Sequence, residues 1–194
     1  MFVVFLGPDG VGKSTVIEHL EKTLKLQEKK VIKFHLCAPI FSTHKRKGAP
    51  NNNPHGELPR SLLSSILKLL YFLIRYNLAY FFTITKLLNN NYIVLMDRYY
   101  HDMLIDPRRY RYSGPKWLVN FISKFVPSPD YFIVLDAPAE VLQMRANEVT
   151  FDESARQRNE YHNFIRQRTN GRVISTIDDI NNSVEKIIKQ IELH

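Results

Sequence analysis

The hydrophobic positions of the chain fall into short continuous runs separated by longer segments of helical periodicity. The short runs are apolar almost throughout, as in parallel strands that are covered on both faces. They comprise residues 2–6, 31–37, 92–97, 130–136 and 171–177. Between the runs, apolar residues recur every three or four positions, as Val16, Ile17, Leu20 and Leu24 do. This alternation predicts an α/β fold, a three-layer sandwich with one five-stranded parallel sheet and helices on both of its faces.

Residues 61–88 form the longest apolar segment, and their length raises the question of a membrane span. Ser64, Lys68, Tyr71 and Arg75 recur at helical spacing and give this segment a polar stripe. Charged side chains are costly in the middle of a bilayer. We therefore predict a long helix that is largely buried in the core of a soluble protein, and no membrane association.

The remaining segments indicate a single domain over residues 1–194. Residues 38–60 are rich in proline and asparagine, which predicts a long loop. Helical residues from about 138 to 169 break near Thr150. The first residues, MFVVFLG, lack the basic leader of a signal peptide, and Cys37 is the only cysteine. We expect a cytoplasmic protein without disulfides.

The formal charge of +8 favours anionic partners such as phosphates, nucleotides, nucleic acid or acidic lipid, or reflects a merely basic surface. Residues 97–112, DRYYHDMLIDPRRYRY, contain four arginines and four tyrosines. One interpretation is a nucleic-acid-binding arm, in which bases stack on the tyrosines. The other is the wall of a pocket for a phosphorylated small molecule. The choice depends on motifs elsewhere in the chain.

The sequence GPDGVGKS, residues 7–14, fits the phosphate-loop pattern G-x-x-x-x-G-K-S/T between a predicted strand and a predicted helix. Its glycines let backbone N–H groups approach phosphate oxygens. Lys13 would reach the β- and γ-phosphates, and the Ser14 hydroxyl would bind Mg²⁺. No guanine-specifying N-K-x-D is present, which argues against a GTPase. The residues expected to bind ATP are Gly7, Pro8, Asp9, Gly10, Val11, Gly12, Lys13, Ser14 and Thr15.

Asp97 and Arg98 follow the third predicted strand. Asp97 can hold Mg²⁺, although a helix-capping or loop role is the alternative. Arg98 can form bidentate bonds to a phosphate, although a structural salt bridge to Asp102 or Asp106 is the alternative. The carboxyl ends of parallel strands share an edge with the phosphate loop. We therefore interpret residues 97–112 as a pocket wall and expect no nucleic-acid partner.

Three motifs together resemble those of thymidylate kinases: GPDGVGKST, D-R-Y after the third strand and LDAP after the fourth. That family has the P-loop NTPase fold and transfers the γ-phosphoryl group of MgATP to dTMP. The resemblance covers nearly the whole chain. It implies ATP and Mg²⁺ as cofactors, and a short helical lid at about residues 148–158. It also implies that Asp9 contacts the acceptor sugar, that Arg98 binds the acceptor phosphate, and that Tyr71 and Arg75 contact the base.

The resemblance also assigns the catalytic groups: Lys13, Arg98 and two lid arginines, Arg156 and Arg158, with Arg145 as an alternative. The phosphate loop has no arginine, which agrees with arginines supplied by the lid. Two family elements are absent: R-E-P-G after the second strand, and the usual segment after D-R-Y. The resemblance implies dTMP as the leading acceptor, and the two absent elements leave alternatives open. The alternatives are another phosphorylated or sugar-like metabolite, and a nucleic-acid-binding NTPase.

The other arginines of residues 97–112 are predicted to have supporting roles. Four positive charges facing one small site would repel one another. We therefore expect Arg108, Arg109 and Arg111 to pair with Asp102 and Asp106, or to cover the acceptor. A small phosphorylated molecule is the expected partner, and a homodimer is a further candidate.

Overall fold

The computed structural model describes residues 1–40, 58–146 and 149–191. Its five strands are β1 (Phe2–Leu6), β2 (Lys30–His35), β3 (Tyr92–Asp97), β4 (Tyr131–Asp136) and β5 (Gly171–Ser175). They form one sheet in the order β2-β3-β1-β4-β5, and every neighbouring pair is parallel. The predicted parallel sheet is confirmed. The predicted loop at 38–60 lies mostly outside the described residues.

Helices connect the strands in the predicted alternation. They are α1 (Lys13–Leu26), α2 (Leu62–Ala79), α3 (Thr85–Asn89), α4 (Asp102–Ile105), α5 (Lys116–Ser123), α6 (Ala139–Arg145), α7 (Phe151–Arg166) and α8 (Ile180–Ile191). A π-helical turn, Tyr80–Ile84, joins α2 to α3. The predicted break near Thr150 is confirmed, because Thr150 caps α7 and its hydroxyl accepts a hydrogen bond from the Glu153 N–H at 3.4 Å.

Strands β1 to β4 each contribute side chains to two separate hydrophobic cores, one on each face of the sheet, whereas β5 contributes Ile174 to one of them. In β1, Phe2 and Val4 face the core formed with α2, α5 and α7, whereas Val3 and Phe5 face the core formed with α1, α6 and α8. Successive side chains of a strand point to opposite faces, so a strand covered on both faces must be apolar throughout. The predicted three-layer sandwich is confirmed.

The prediction that the long helical segment is largely buried is wrong. Leu62–Asn89 has the length and hydropathy of a membrane span, a composition test that core helices also pass, and only 22% of its most apolar window is buried. Leu63 (70% exposed), Leu67, Leu70, Ile74 (60%) and Phe81 lie along its outer side. We call these five residues the outer apolar row. The segment forms an outer layer, so only a narrow face, including Leu69 and Tyr76, reaches the core.

Lys68, in the polar stripe of α2, faces the protein, whereas Tyr71 of the same stripe is half exposed. The Lys68 ammonium donates a hydrogen bond to the Tyr110 carbonyl at 2.5 Å. Nearby, Ser65 lies 3.2 Å from the Ser113 hydroxyl, and Arg60 N–H donates to the Arg111 carbonyl at 3.0 Å. These contacts fasten the stretch between α4 and α5 to the beginning of α2.

Candidate functional site

The phosphate loop connects β1 to α1 and leaves open space above the first turn of α1. Gly12 caps the helix with φ +88°, and a Cβ placed there would meet nothing within 4 Å. A backbone of this geometry presents its N–H groups and the positive end of the helix to that space. Lys13 curls back over the loop, and its ammonium donates to the carbonyls of Gly7 and Pro8, both at 2.8 Å. The open space and the nearby cation suit the phosphates of a nucleotide.

Burial controls the charge of Lys13. Burial, and after it the positive charge of Arg98, lower the pKa of this ammonium to about 7, although the charges of Asp9 and Asp97 oppose the shift. Desolvation disfavours the charged form of an amine. A polyanion bound beside Lys13 would favour the charged form again, so phosphate binding and protonation of Lys13 support each other.

A cavity of about 550 Å³ lies above the loop, at the carboxyl edge of the sheet. Its lining consists of Asp9, Gly10, Gly12, Lys13, Ser14, Thr15, His35, Asp97, Arg98, Arg109, Arg145 and Ala146. The structure thus brings residues from the ends of β2 and β3 together with the phosphate loop. They meet because β3 lies directly beside β1 in the sheet.

Asp97 offers a carboxylate oxygen that suits a cation. Its Oδ1 is buried and has no hydrogen-bond partner in the described part of the chain, whereas Oδ2 lies 3.2 Å from Nδ1 of His35. Burial would raise the pKa of Asp97, but the contact with His35 and the charges of Lys13 and Arg98 bring it below its usual value. Ser14 lines the same cavity.

These residues fit Mg²⁺, which needs one or two protein oxygens and completes its shell with water and phosphate oxygens. The described residues contain no group of three His, Cys, Asp or Glu side chains that could hold a metal alone. An ion at Ser14 and Asp97 would therefore depend on the phosphates of a bound nucleotide.

Arg98 is held in a strained backbone conformation at the end of β3. Its φ is +66°, and its N–H donates to the Phe5 carbonyl at 2.9 Å. A non-glycine residue with positive φ is uncommon and requires support from its surroundings. Nη1 donates to Asp102 at 2.7 Å, and Nη2 donates to Asp9 at 2.5 Å. The alternative of a salt bridge to Asp102 is therefore present, and the guanidinium faces the cavity as well.

Asp102 is a fully buried carboxylate that pairs with Arg98. Its carboxylate also accepts hydrogen bonds from the hydroxyls of Tyr110, at 3.0 Å, and Tyr161. Burial would lower the pKa of Arg98, but the charge of Asp102 beside it and that of Asp9 raise the pKa well above its ordinary value. Arg98 therefore stays charged although it is almost completely buried.

Arg109, which the sequence predicts only as a supporting arginine, lines the cavity. Its Nη2 contacts Oδ2 of Asp9, and its Nε donates to Asp106 at 3.2 Å. The predicted pair with Asp106 exists, but Arg109 also lines the cavity. Arg108, in contrast, is exposed, and Arg111 donates to the Leu58 carbonyl at 2.9 Å. The spacing of Asp106 and Arg109, three residues apart around a proline, is the sequence signal that distinguishes Arg109 from its neighbours.

The two lid arginines point to other partners in this structure. Arg156 donates to Glu153 and to the Ile105 carbonyl at 2.8 Å. Arg158 forms two hydrogen bonds, at 2.7 and 2.9 Å, with Asp136. Arg145, the alternative lid arginine, does line the cavity, whereas Arg156 and Arg158 are not among the described lining residues.

Tyr71 and Arg75 pair with each other on α2. The Arg75 guanidinium donates to the Tyr71 hydroxyl at 2.8 Å. The part of the chain that the structure describes places neither residue in the lining of the phosphate-loop cavity. Tyr71 is half exposed, so its ring is accessible to a ligand that extends beyond the cavity.

A second cavity, of about 270 Å³, adjoins the phosphate loop at the end of β5 and was not predicted. Val11, Gly12, Arg145, Thr176 and Asp178 are among its lining residues. The Thr176 hydroxyl donates to the Val11 carbonyl at 2.8 Å and so connects β5 to the loop. The polar run that follows β5 is the sequence signal for this cavity, because such residues at a carboxyl strand end face ligands.

Comparison with known proteins identifies relatives over almost the whole chain. The family model described as "Thymidylate kinase" matches residues 5–191. A thymidylate kinase of Chlamydia pneumoniae is 27% identical over 172 residues, which are 86% of this chain and 81% of that protein. The crystal structure of thymidylate kinase from Ehrlichia chaffeensis superposes with a TM-score of 0.66 at 20% identity, covering 100% of this chain and 98% of the other. At this identity the structural likeness shows the fold.

Proposed function

Because the chain belongs to the thymidylate kinase family, we propose that this ATP-dependent kinase transfers the γ-phosphoryl group of ATP to dTMP. The family places it among the phosphotransferases of nucleotide biosynthesis. The observation that carries the proposal is the single cavity in which the phosphate loop with Lys13 faces Arg98 and Arg109. A kinase for a phosphorylated acceptor needs this combination of a donor loop and an opposing anion site.

The donor nucleotide is proposed to span the two adjoining cavities. Its phosphates would lie on the N–H groups of residues 7–15, with Lys13 beside the β- and γ-phosphates. Its base would occupy the cavity between Arg145 and Thr176, because that cavity shares Gly12 with the first one. When Mg²⁺ is bound, it neutralises charge on the β- and γ-phosphates, and Ser14 and Asp97 would hold it.

The acceptor would enter from the side of β3 and α4. Arg98 would hold its phosphate, Asp9 would contact its sugar, and Tyr71 with Arg75 on α2 would contact the base. The contacts of α2 with the stretch after α4 support this arrangement, since they join the helix to the wall of the cavity. We keep Tyr71 and Arg75 as candidates because both stand on the helix that borders this wall.

Catalysis would come from positioning and charge neutralisation. An oxygen of the acceptor phosphate attacks the γ-phosphorus, the bond to the β–γ bridging oxygen breaks, and ADP leaves. Lys13 stabilises negative charge on the donor side, and Arg98 orients the attacking phosphate. Arg156 and Arg158 would complete the site when a lid at about 148–158 closes, which requires Arg158 to leave Asp136.

A screen of acceptors tests the proposed function. Purified protein with ATP and Mg²⁺ is offered dTMP, other nucleoside monophosphates, and sugar phosphates, and ADP formation is followed in a coupled assay. The expected result is the highest kcat/KM for dTMP. A preference of tenfold or more for another acceptor would assign the same chemistry to that compound, which is compatible with the absence of an arginine from HLCAPIF, residues 35–41. Absence of turnover with every acceptor would contradict the assignment as a kinase.

We further propose a homodimer and a cytoplasmic setting. The outer apolar row forms an exposed hydrophobic strip on α2 and the turn that follows it, and such strips on soluble proteins mark interaction surfaces. The free thiol of Cys37 agrees with a reducing compartment.

A further inference from the structure

Two arginines from different segments converge on one carboxylate inside the cavity. Nη2 of Arg98 donates to one oxygen of Asp9 at 2.5 Å, and Nη2 of Arg109 contacts the other. We propose that Arg98 and Arg109 together bind the phosphate of the acceptor, and that Asp9 occupies this position until the acceptor arrives. The inference deepens the proposed function, because it rests on an acceptor that is a phosphomonoester.

Each of the two guanidinium groups has a second carboxylate partner besides Asp9, which orients it before any ligand binds. Asp102 holds Arg98 at 2.7 Å, and Asp106 holds Arg109 at 3.2 Å. Both carboxylates are buried, so an arginine that rotated away would give up a charge-assisted hydrogen bond to a buried carboxylate. Side chains fixed in this way lose little conformational freedom when a ligand binds, which favours binding.

The chemistry of the pair favours a phosphomonoester over a neutral group. A guanidinium forms charge-assisted hydrogen bonds with the paired oxygens of carboxylates and phosphates alike, and it remains charged when buried. Because each arginine uses one oxygen of Asp9, a phosphate can replace the carboxylate with one oxygen for each guanidinium. The displaced Asp9 can then reach a hydroxyl of the acceptor. A nucleoside without a phosphate offers nothing to this pair, so the site selects phosphorylated acceptors.

Steady-state kinetics of Arg109→Gln test the inference, with Arg108→Gln as the matched control. Arg108 is the preceding residue and carries the same charge, but it is exposed and lies outside the cavity lining. The expected result for Arg109→Gln is a rise of about 10- to 100-fold in the KM for dTMP, with the KM for ATP changed less than about twofold. Arg108→Gln should leave both constants unchanged. An equal effect of the two substitutions, or an ATP defect alone, would overturn the inference.

A binding experiment without turnover separates this inference from the proposed function. Inorganic phosphate is titrated into the protein by calorimetry with the donor site saturated by ADP. Arg109→Gln should weaken phosphate binding at least tenfold relative to Arg108→Gln. Asp9→Asn should strengthen it, because it removes the carboxylate that competes for the two arginines. If dTMP is not a substrate but these shifts occur, the proposed acceptor is wrong and the arginine pair stands.

The stability of the variants decides whether a loss of binding is local. Arg109→Lys keeps the charge beside Asp106 and should recover part of the phosphate affinity lost in Arg109→Gln. A melting temperature within a few degrees of wild type shows that the fold is retained. Unchanged phosphate affinity in both Arg109 variants, or no gain in Asp9→Asn, would show that the pair of arginines is a structural contact only.

Discussion

At the scale of single residues, Lys13 is the proposed catalytic group of the phosphate loop. Its ammonium is buried and bonded only to loop carbonyls among the contacts described for it, so it is available for the phosphates of ATP. We predict that Lys13→Ala retains the fold and lowers kcat by about 100- to 1000-fold, or roughly 3–4 kcal/mol of transition-state stabilisation. Lys22→Ala is the control, since Lys22 is exposed on the same helix. Turnover close to wild type in Lys13→Ala would contradict the assigned role.

His101 makes the stability of the fold sensitive to acid. Its imidazole packs among the rings of Tyr99, Phe132 and Phe164, and its Nδ1 has no hydrogen-bond partner in the described chain. Burial, and the nearby charge of Arg168, lower the pKa of His101 to about 3. The unfolded chain takes up this proton near pH 6.5, whereas the folded protein does not. The contribution of neutral His101 to the free energy of unfolding is therefore fully present above pH 6.5 and is lost as the pH falls towards 3.

The contribution of His101 can be measured by replacing it with a ring that does not titrate. We predict that the free energy of unfolding of His101→Phe, relative to wild type, rises by about 1.4 kcal/mol for each pH unit below 6.5. Urea unfolding at pH 7, 6 and 5 measures this difference. Parallel pH profiles for the two proteins would mean that the imidazole is protonated in the folded state.

Lys13, Asp97 and Arg98 could be identified as candidates from the sequence. Lys13 belongs to a short contiguous motif, and the other two stand at the end of a predicted strand. The sequence could not identify the contact of Arg109 with Asp9, which joins residues 100 positions apart. It also could not find the left-handed backbone of Arg98, because that conformation depends on the Phe5 carbonyl of the neighbouring strand. Geometry of this kind arises from the packing of distant segments.

At the scale of elements, the proposed lid includes the first turns of α7, which would have to move for its arginines to reach the cavity. Arg158 is bound to Asp136, and Arg156 to Glu153, in this structure. We predict that amide exchange across residues 148–160 slows when an analogue that joins adenosine to thymidine through phosphates is bound. Amides of β4 are the internal control, since a central strand should be protected in both states. Equal protection of residues 148–160 with and without the analogue would argue against a closing lid.

The elements also show where hydrophobic patterning succeeds and where it fails. The strands were predictable because two covered faces require continuous apolar runs. The order β2-β3-β1-β4-β5 was not predicted, because it depends on pairings between strands far apart in the sequence. The segment containing α2 was assigned to the core because it is apolar on most sides. Composition does not distinguish an apolar helix buried in the core from one that is exposed on the surface. The exposure of the outer apolar row is therefore known only from the structure.

At the scale of the whole molecule, the outer apolar row predicts self-association. Leu67 and Ile74 lie on it at helical spacing, and both are well exposed. We predict a dimer in light scattering that the double substitution Leu67→Glu, Ile74→Glu converts to a monomer. Burying two carboxylates against a partner should raise the dissociation constant at least about 100-fold. Both side chains face outward, so the melting temperature of the isolated chain should change little.

The matched control is Leu26→Glu, because Leu26 is 86% exposed and lies at the end of α1, on the other face of the sheet. Its substitution adds the same charge outside the outer apolar row and should leave the dimer intact. If Leu26→Glu dissociates the dimer equally, the interface involves α1 or general charge. If the wild-type protein is monomeric at every accessible concentration, the row has another occupant. Retention of the dimer in the double variant would exclude α2 as its interface.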